Sequence, residues 1–524
     1  MVYRGKPSSA CERCRSRRLK CDQGTPTCSP CNRAKVECPG YRNTLDLAFR
    51  NQNDKAISLS QRSARKKQHA TTKTANIRVA SSSSSSSSPE YPNSVPYALE
   101  NSLSDLAMGY FFSHYITGGI QEGYMSYLLP LINDPYNVAV ISALNAVGLA
   151  ALSNIRSSPQ MMLKARREYT KALSETNKGL ADIATSDRDD ILAAVVLLGM
   201  YEVVTCSDGH FIDRWMKHVE GAARLVEYRG LKQLERREGL EMFTQLRLHI
   251  NTCDIYRKRR STALYIRLTE NAMKYRDEND QIIDLLCLEV IQLADLRASI
   301  EDRSIYDPGE IIRKALTIDA NLASLFISVP TPWQYHEVEN PFSNGPQIGQ
   351  TVWGTTYHLY GSLRASNMWN NWRSVRILLH ELIIDTVASL EGCSPGPERR
   401  QQLALAAHSR FIASQLVEDI CASVPYHLGA GTEDSDQVAL PVTGAGGFCL
   451  MWQLLIAANS GLASQDLRSW IMDCLDKIGY SMGINQALAM SQLLRAGKQS
   501  ESLHLPENHN LGFGRNHFIG LIEE

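Results

Sequence analysis

Six cysteines in the first 40 residues constrain this chain more than anything else in it. They stand at Cys11, Cys14, Cys21, Cys28, Cys31 and Cys38, spaced C-x2-C-x6-C-x6-C-x2-C-x6-C. The pattern is one half-motif, C-x2-C-x6-C, used twice with an offset of 17 residues. Such a duplication predicts two metals related by a local twofold. Zinc takes four tetrahedral ligands and accepts thiolate readily. Two separate zincs would need more thiolates than the six present. Six suffice if two sulfurs bridge both metals, and symmetry makes the first cysteine of each half, Cys11 and Cys28, the natural bridges. Two zincs with six thiolates carry net negative charge, so basic neighbours are favoured.

Those neighbours are present. Arg15, Arg17, Arg18 and Lys20 lie between Cys14 and Cys21. Each half predicts a short helical turn after its C-x2-C start. In the second half Ser29 reads as the N-cap and Pro30 as the first helical residue. Asp22 to Pro26 reads as the turn between halves.

The stretch resembles the fungal binuclear zinc-cluster transcription factors. The residues that carry the resemblance are Cys-x2-Cys-Arg15, Lys20-Cys-Asp22, Pro26-x-Cys28 and Cys38-Pro-Gly40-Tyr41. It implies a DNA-binding domain with two zincs per chain held by all six cysteines. It also implies a nuclear regulator of RNA polymerase II transcription, acting on promoter DNA with the transcription machinery or co-regulators. By the same resemblance, Arg18 is the main base reader of a CGG-like triplet, Arg17 stands beside it, and Arg15 and Lys20 bind phosphate. A metal store, a structural zinc knuckle and a disulfide framework are the competing readings of the cysteines. Basic residues on the cluster argue against the first two, and a large chain without a secretory signal against the third.

Charge supports a basic head on an acidic body. The whole chain has 55 Lys and Arg and 55 Asp and Glu. Residues 1–80 hold 18 basic and 5 acidic side chains, the remainder 37 and 50. That division suits a nucleic-acid binder with a separate protein-facing part. Three parts are expected: a zinc cluster over 1–42, a basic and Ser-rich flexible linker over 43–100, and an all-α regulatory domain over 101–524. Residues 1–10 form a basic arm. The stretch after the cluster lacks the heptads of a dimerising coiled coil. Arg62, Arg65, Lys66 and Lys67 read as a nuclear-import signal. The run Ser81–Ser88 cannot bury a core. A linker of this length spans roughly 40 Å as a random coil.

From Leu103 apolar residues recur at helical spacing. Helices are expected after Ser158-Pro159 and over Asp187–Val204, then around Trp215, Val219, Ala222 and Val226. Further helices are expected over Gln281–Ile300, Arg373–Leu390, Glu398–Val424, Phe448–Ala458 and Leu467–Leu494, with loops over Val329–Gly354 and Gly429–Gly447. Ile191–Val204 reads as the most apolar helix, and no membrane span is expected. The other seven cysteines read as core side chains. This body resembles the helical regulatory domain often found behind such a cluster. The carriers are Tyr169-x2-Ala172-Leu173, Leu197-Leu198-x2-Tyr201-Glu202 and Trp215-x2-His218-x2-Gly221-Ala222, with Gly483-Ile484-x-Gln486 near the end.

No nucleophile elbow, phosphate-binding loop, zincin motif or dinucleotide fingerprint occurs, so no enzyme is expected. His218 reads as a packing residue and Gly221 as a point of close helix approach. Asp277–Leu296 reads as an amphipathic surface helix, with an activation segment as the sharper alternative. The alternative function is a zinc-scaffolded interaction protein or co-regulator whose cluster contacts protein or RNA. The basic stretch inside Cys14–Cys21 favours DNA. Because one cluster reads too short a site, a homodimer through the helical body is expected, with a single head helped by its flanking basic arm as the alternative.

Overall fold

The computed structural model describes residues 10–39 other than 18, 23, 25, 26 and 37. It also describes 102–497 other than 117–123, 182–187, 207–210, 341–350, 391–395 and 430–442. The chain divides into two compact units, Met1–Pro96 and Tyr97–Glu524. The basic arm, the import-like clump, the serine run and the expected boundaries near residues 42 and 100 lie outside the described residues.

In the first unit, α1 (Glu12–Ser16) and α2 (Ser29–Arg33) are single helical turns that touch each other. Neither is long enough to be stable alone in water. What surrounds them is sulfur: Cys11, Cys14, Cys28 and Cys31 form the buried centre of this unit.

The second unit is helical. It begins with α3 (Leu103–Tyr115), whose start carries a complete capping box between Ser102 and Asp105. Then follow α4 (Leu128–Ile132), α5 (Val138–Arg156), α6 (Pro159–Ala181), α7 (Asp189–Thr205) and α8 (Phe211–Arg229). The next helices are α9 (Arg237–Arg257), α10 (Ala263–Ala272), α11 (Ile282–Glu301) and α12 (Pro308–Leu325). After a hairpin come α13 (Leu363–Ser389), α14 (Pro397–Leu428), α15 (Gly444–Asn459), α16 (Gln465–Met482) and α17 (Asn485–Arg495).

The body is organised around α5. This helix has no charged residue before Arg156 and buries almost every side chain from Ala139 to Ser153. Among the described residues it is the one helix long and apolar enough to cross a membrane. It is instead a core element, packed on α3, α6 and α7. The apolar run Ile191–Val204 lies within α7, which packs directly against α5. Close approach explains Gly148: a Cβ there would stand 2.3 Å from the Ala107 carbonyl oxygen on α3.

The last helices return to this first layer. Tyr110 donates to the Met482 carbonyl at 2.8 Å, and Asn154 Nδ2 donates to the carbonyls of Val204 and Gly483, each at 2.8 Å. Residues far apart in sequence thus share one continuous core.

Four expectations change. Leu467–Leu494 is two helices, α16 and α17, divided at Gly483, whose φ of 72° ends the first in a left-handed C-cap. The 329–354 loop contains strand β1 (Tyr335–Glu339), paired antiparallel with β2 (Thr356–Tyr360) from Tyr335 opposite Tyr360 to Glu339 opposite Thr356. Dense Pro and Gly around these strands conceal them in the sequence. In the structure the buried Arg373 anchors them, donating to the Tyr360 hydroxyl at 2.6 Å and lying 5.2 Å over the Tyr335 ring. Third, α13 begins ten residues before Arg373, at Leu363, capped by the Ser362 hydroxyl. Fourth, α11 is no surface helix: Ile282, Ile283, Asp284, Leu286 and Cys287 are buried, and Arg247 and Arg276 pair with Asp284.

Gly199 lets α7 and α8 approach, since a Cβ there would stand 3.1 Å from that of His218. His218 itself is a packing residue whose basicity burial lowers. The described cysteines of the body are buried core side chains.

Candidate metal centre and nucleic-acid interface

The repeat in the sequence is a repeat in the backbone. Adding 17 to the bounds of α1 gives those of α2. The N–H of Leu19 bonds to the Cys14 carbonyl at 2.8 Å, and the N–H of Val36 to that of Cys31 at 3.1 Å. These donors and acceptors stand at equivalent places in the two halves. Leu19 and Val36 are both about half exposed, at 47% and 46%. Each half therefore folds its first two cysteines inward around one helical turn and leaves the third partly exposed.

The result is a compact group of sulfurs. Cys11, Cys14, Cys21 and Cys28 form one quartet, and Cys11, Cys28, Cys31 and Cys38 the other. Within each quartet all sulfurs lie within 4.8 Å of one another. The two quartets share Cys11 and Cys28. Cys11 Sγ lies 3.8 Å from Cys28 Sγ and 3.8 Å from Cys31 Sγ, and Cys28 Sγ lies 3.8 Å from Cys14 Sγ and 3.9 Å from Cys38 Sγ.

These separations discriminate between chemistries. A disulfide brings two sulfurs to about 2.05 Å. Four sulfurs about 2.3 Å from a zinc stand about 3.8 Å apart at the corners of a tetrahedron. The donor set and its spacing fit zinc. Without metal, burial pushes the Cys14 thiol up to about 12 and the Cys28 thiol higher still. Such thiols give up their protons to a cation that replaces them.

The surroundings stabilise negative sulfur. The Cys14 N–H points at Cys11 Sγ, 3.4 Å away. Arg13 Nη1 donates to Cys31 Sγ at 3.7 Å, so a cation on the first half neutralises a thiolate of the second. Arg13 was not among the basic residues singled out in the sequence. Its position between two cysteines three apart was the available signal, since a side chain there faces the cluster.

Asp22 ties the halves together. It accepts from the Ser29 N–H at 2.9 Å and from the Ser29 hydroxyl. The N-cap of α2 is Cys28, whose side chain makes no capping bond, with Ser29 as the first helical residue. Ser29 is therefore not the cap, and Pro30 is not the first helical residue. A carboxylate from the preceding turn satisfies the helix start instead. The Ser29 hydrogen bonds hold the Asp22 carboxyl below its ordinary range.

Of the basic residues, Arg17 and Lys20 are exposed. Arg15 lies on α1, and Arg18 falls outside the described residues. The counterpart of Arg18 in the second half is Lys35, which is exposed at a φ of 49° beyond α2. Arg17 and Lys20 thus follow the C-terminal end of a short helix whose Cys14 lies in the sulfur cluster. Such an edge can meet nucleic-acid phosphate and base edges together.

The family model for the fungal Zn(2)-Cys(6) binuclear cluster domain matches residues 9–47. The model for the fungal specific transcription factor domain matches residues 108–251. Transcription factor dbaG of Emericella nidulans is 23% identical over 446 residues, which cover 78% of this chain and 95% of that protein. White-opaque regulator 2 of Candida albicans is 38% identical over 52 residues, 10% of this chain and 12% of its own. No solved structure matches the chain.

Proposed function

We propose that this chain, which carries a fungal Zn(2)-Cys(6) cluster domain and a fungal specific transcription factor domain, is a zinc-cluster transcription factor that regulates RNA polymerase II transcription in the nucleus by reading CGG-like sites. Two zincs hold the reading head, with Cys11 and Cys28 bridging and Cys14, Cys21, Cys31 and Cys38 terminal. The observation that supports this most is the pair of sulfur quartets sharing Cys11 and Cys28 at zinc-tetrahedron spacing.

In this reading the metals supply rigidity. They hold α1 so that the residues after it reach the major groove. Arg18 then donates to guanine O6 and N7, with Arg17 beside it. Arg15 and Lys20 hold phosphate and set the register. The role is regulatory and not catalytic. The body presents a surface to co-regulators and to a second copy of itself, so that two heads read two half-sites.

The test is binding of the zinc-loaded full chain to DNA duplexes that vary a CGG triplet. Arg18→Ala costs about 1–3 kcal/mol on the preferred site and flattens the ranking of sequences. Arg15→Ala weakens all sequences alike. An unchanged ranking in Arg18→Ala removes it as the base reader. The mass of the full chain in solution, set against that of residues 1–100, tests the dimer: a monomeric full chain with and without DNA excludes it.

A further inference from the structure

The helical body contains a cavity of about 110 Å³ between α9, α11, α13 and the segment before α4. We propose that it is a binding site for a single-ring aromatic carboxylate, held by Arg276 and Arg364 against an apolar wall. This concerns the body alone, so its failure would leave the DNA reading untouched.

Charge comes first. Asp284 is completely buried and faces two guanidiniums, Arg247 through Nη1 and Arg276 through Nε at 2.9 Å. Arg364, over the Trp333 ring with 5.5 Å to its centroid, has Asp280 at 3.9 Å. Asp280 also accepts from Trp333 Nε1 at 3.2 Å. Glu241 lines the cavity too, but Arg237 neutralises it at 2.8 Å. Three guanidiniums therefore face two carboxylates, which leaves one positive charge. Arg247 also has buried nitrogens, Nε and Nη2, without partners. Buried charge is costly unless paired. Burial, and then the neighbouring charge of Arg247, lower Arg276 to about 10. A monoanion in the cavity, where Arg276 and Arg364 both line the wall, balances the excess charge.

Size and polarity narrow the anion. Leu248, Ile283, Leu286, Trp333 and Met368 supply the apolar wall. An enclosed apolar cavity of about 150 Å³ accepts benzene; this one is smaller, so it holds no more than one ring, with the carboxylate at the mouth beside the partly exposed Arg364. A dianionic phosphate would exceed the charge available and meet apolar side chains. A carboxylate matches the planar fork of a guanidinium, while its ring lies on the wall. The occupant would join α9, inside the region matched by the regulatory-domain family, to α11 and α13 beyond it.

The experiment is equilibrium dialysis of the full chain against labelled benzoate, with neutral benzamide as competitor. The expected result is one benzoate per chain with a Kd below about 1 mM, and about tenfold weaker competition by benzamide. Arg364 is the partly exposed cation, so Arg364→Gln leaves the Arg247–Asp284–Arg276 group in place. Its affinity for benzoate falls about tenfold with helicity unchanged by circular dichroism. No saturable uptake by the folded wild-type chain, equal competition by benzamide, or unchanged affinity in Arg364→Gln overturns the proposal.

Discussion

Replacing Gly483 by alanine tests how the body closes on itself. Gly483 has a φ of 72°, and a Cβ built there stands 2.4 Å from the Ala151 carbonyl oxygen and 3.0 Å from its carbon, both on α5. Two costs follow. A side chain in the left-handed region loses about 1–2 kcal/mol. Forcing the backbone of a packed core helix to move costs about 1–3 kcal/mol more. Gly483→Ala is therefore expected to lose about 2–5 kcal/mol. Gly354→Ala is the control: its φ is 83° and nothing lies within 4 Å of its Cβ. It bears the conformational cost alone, offset by about 0.4–1 kcal/mol from the stiffer unfolded chain. Urea unfolding of the full chain, followed by far-ultraviolet circular dichroism, measures both through the midpoint at constant slope. Equal losses in the two variants would refute the contact between Gly483 and α5 as the cause.

Three further outcomes are expected. Asp284→Asn leaves Arg247 and Arg276 buried against a neutral group and costs about 3–5 kcal/mol, read by the same urea midpoint. Burial depresses His249 and His427 to about 4, so the fold keeps them neutral. Their contribution is complete above the unfolded value near 6.5 and falls as pH drops towards 4, by up to about 1.4 kcal/mol per pH unit for each; midpoints at pH 7 and pH 5 give the slope, and a flat profile counts against it. In the head, Cys11→Ala is expected to lose both zincs and Cys14→Ala mainly one, measured as the zinc-to-protein ratio. Matching ratios for the two variants would exclude the bridging role.

The cluster was legible because its constraint is local. Spacing and a 17-residue repeat are properties of the chain itself, and they reappear in the bounds of α1 and α2. Arg13 and the capping carboxylate of Asp22 were not legible, because each acts across the interface between halves. The helices of the body were visible from periodicity, but their ends were not. Gly483 stops a helix through a contact with α5, and the β1–β2 hairpin depends on Arg373 from a later helix. The amphipathic look of Asp277–Leu296 misled for a similar reason: Asp284 is polar in sequence but lies in the core, and only its distant partner Arg247 accounts for it. The cavity beside it draws on four separated segments and left no motif.

The bonds from Tyr110 to Met482 and from Asn154 to Gly483 bear on genetics. They make the final helices part of the first layer of the body. A stop codon between α15 and α17 would remove only a small share of the coding sequence, yet it would strip the cover from α5 and expose a strongly apolar face. Such alleles should behave as nulls through aggregation or degradation, even though the reading head is synthesised intact. Stop codons beyond Arg495 should spare this closure, so a series of nonsense alleles should show an abrupt phenotypic boundary at that helix.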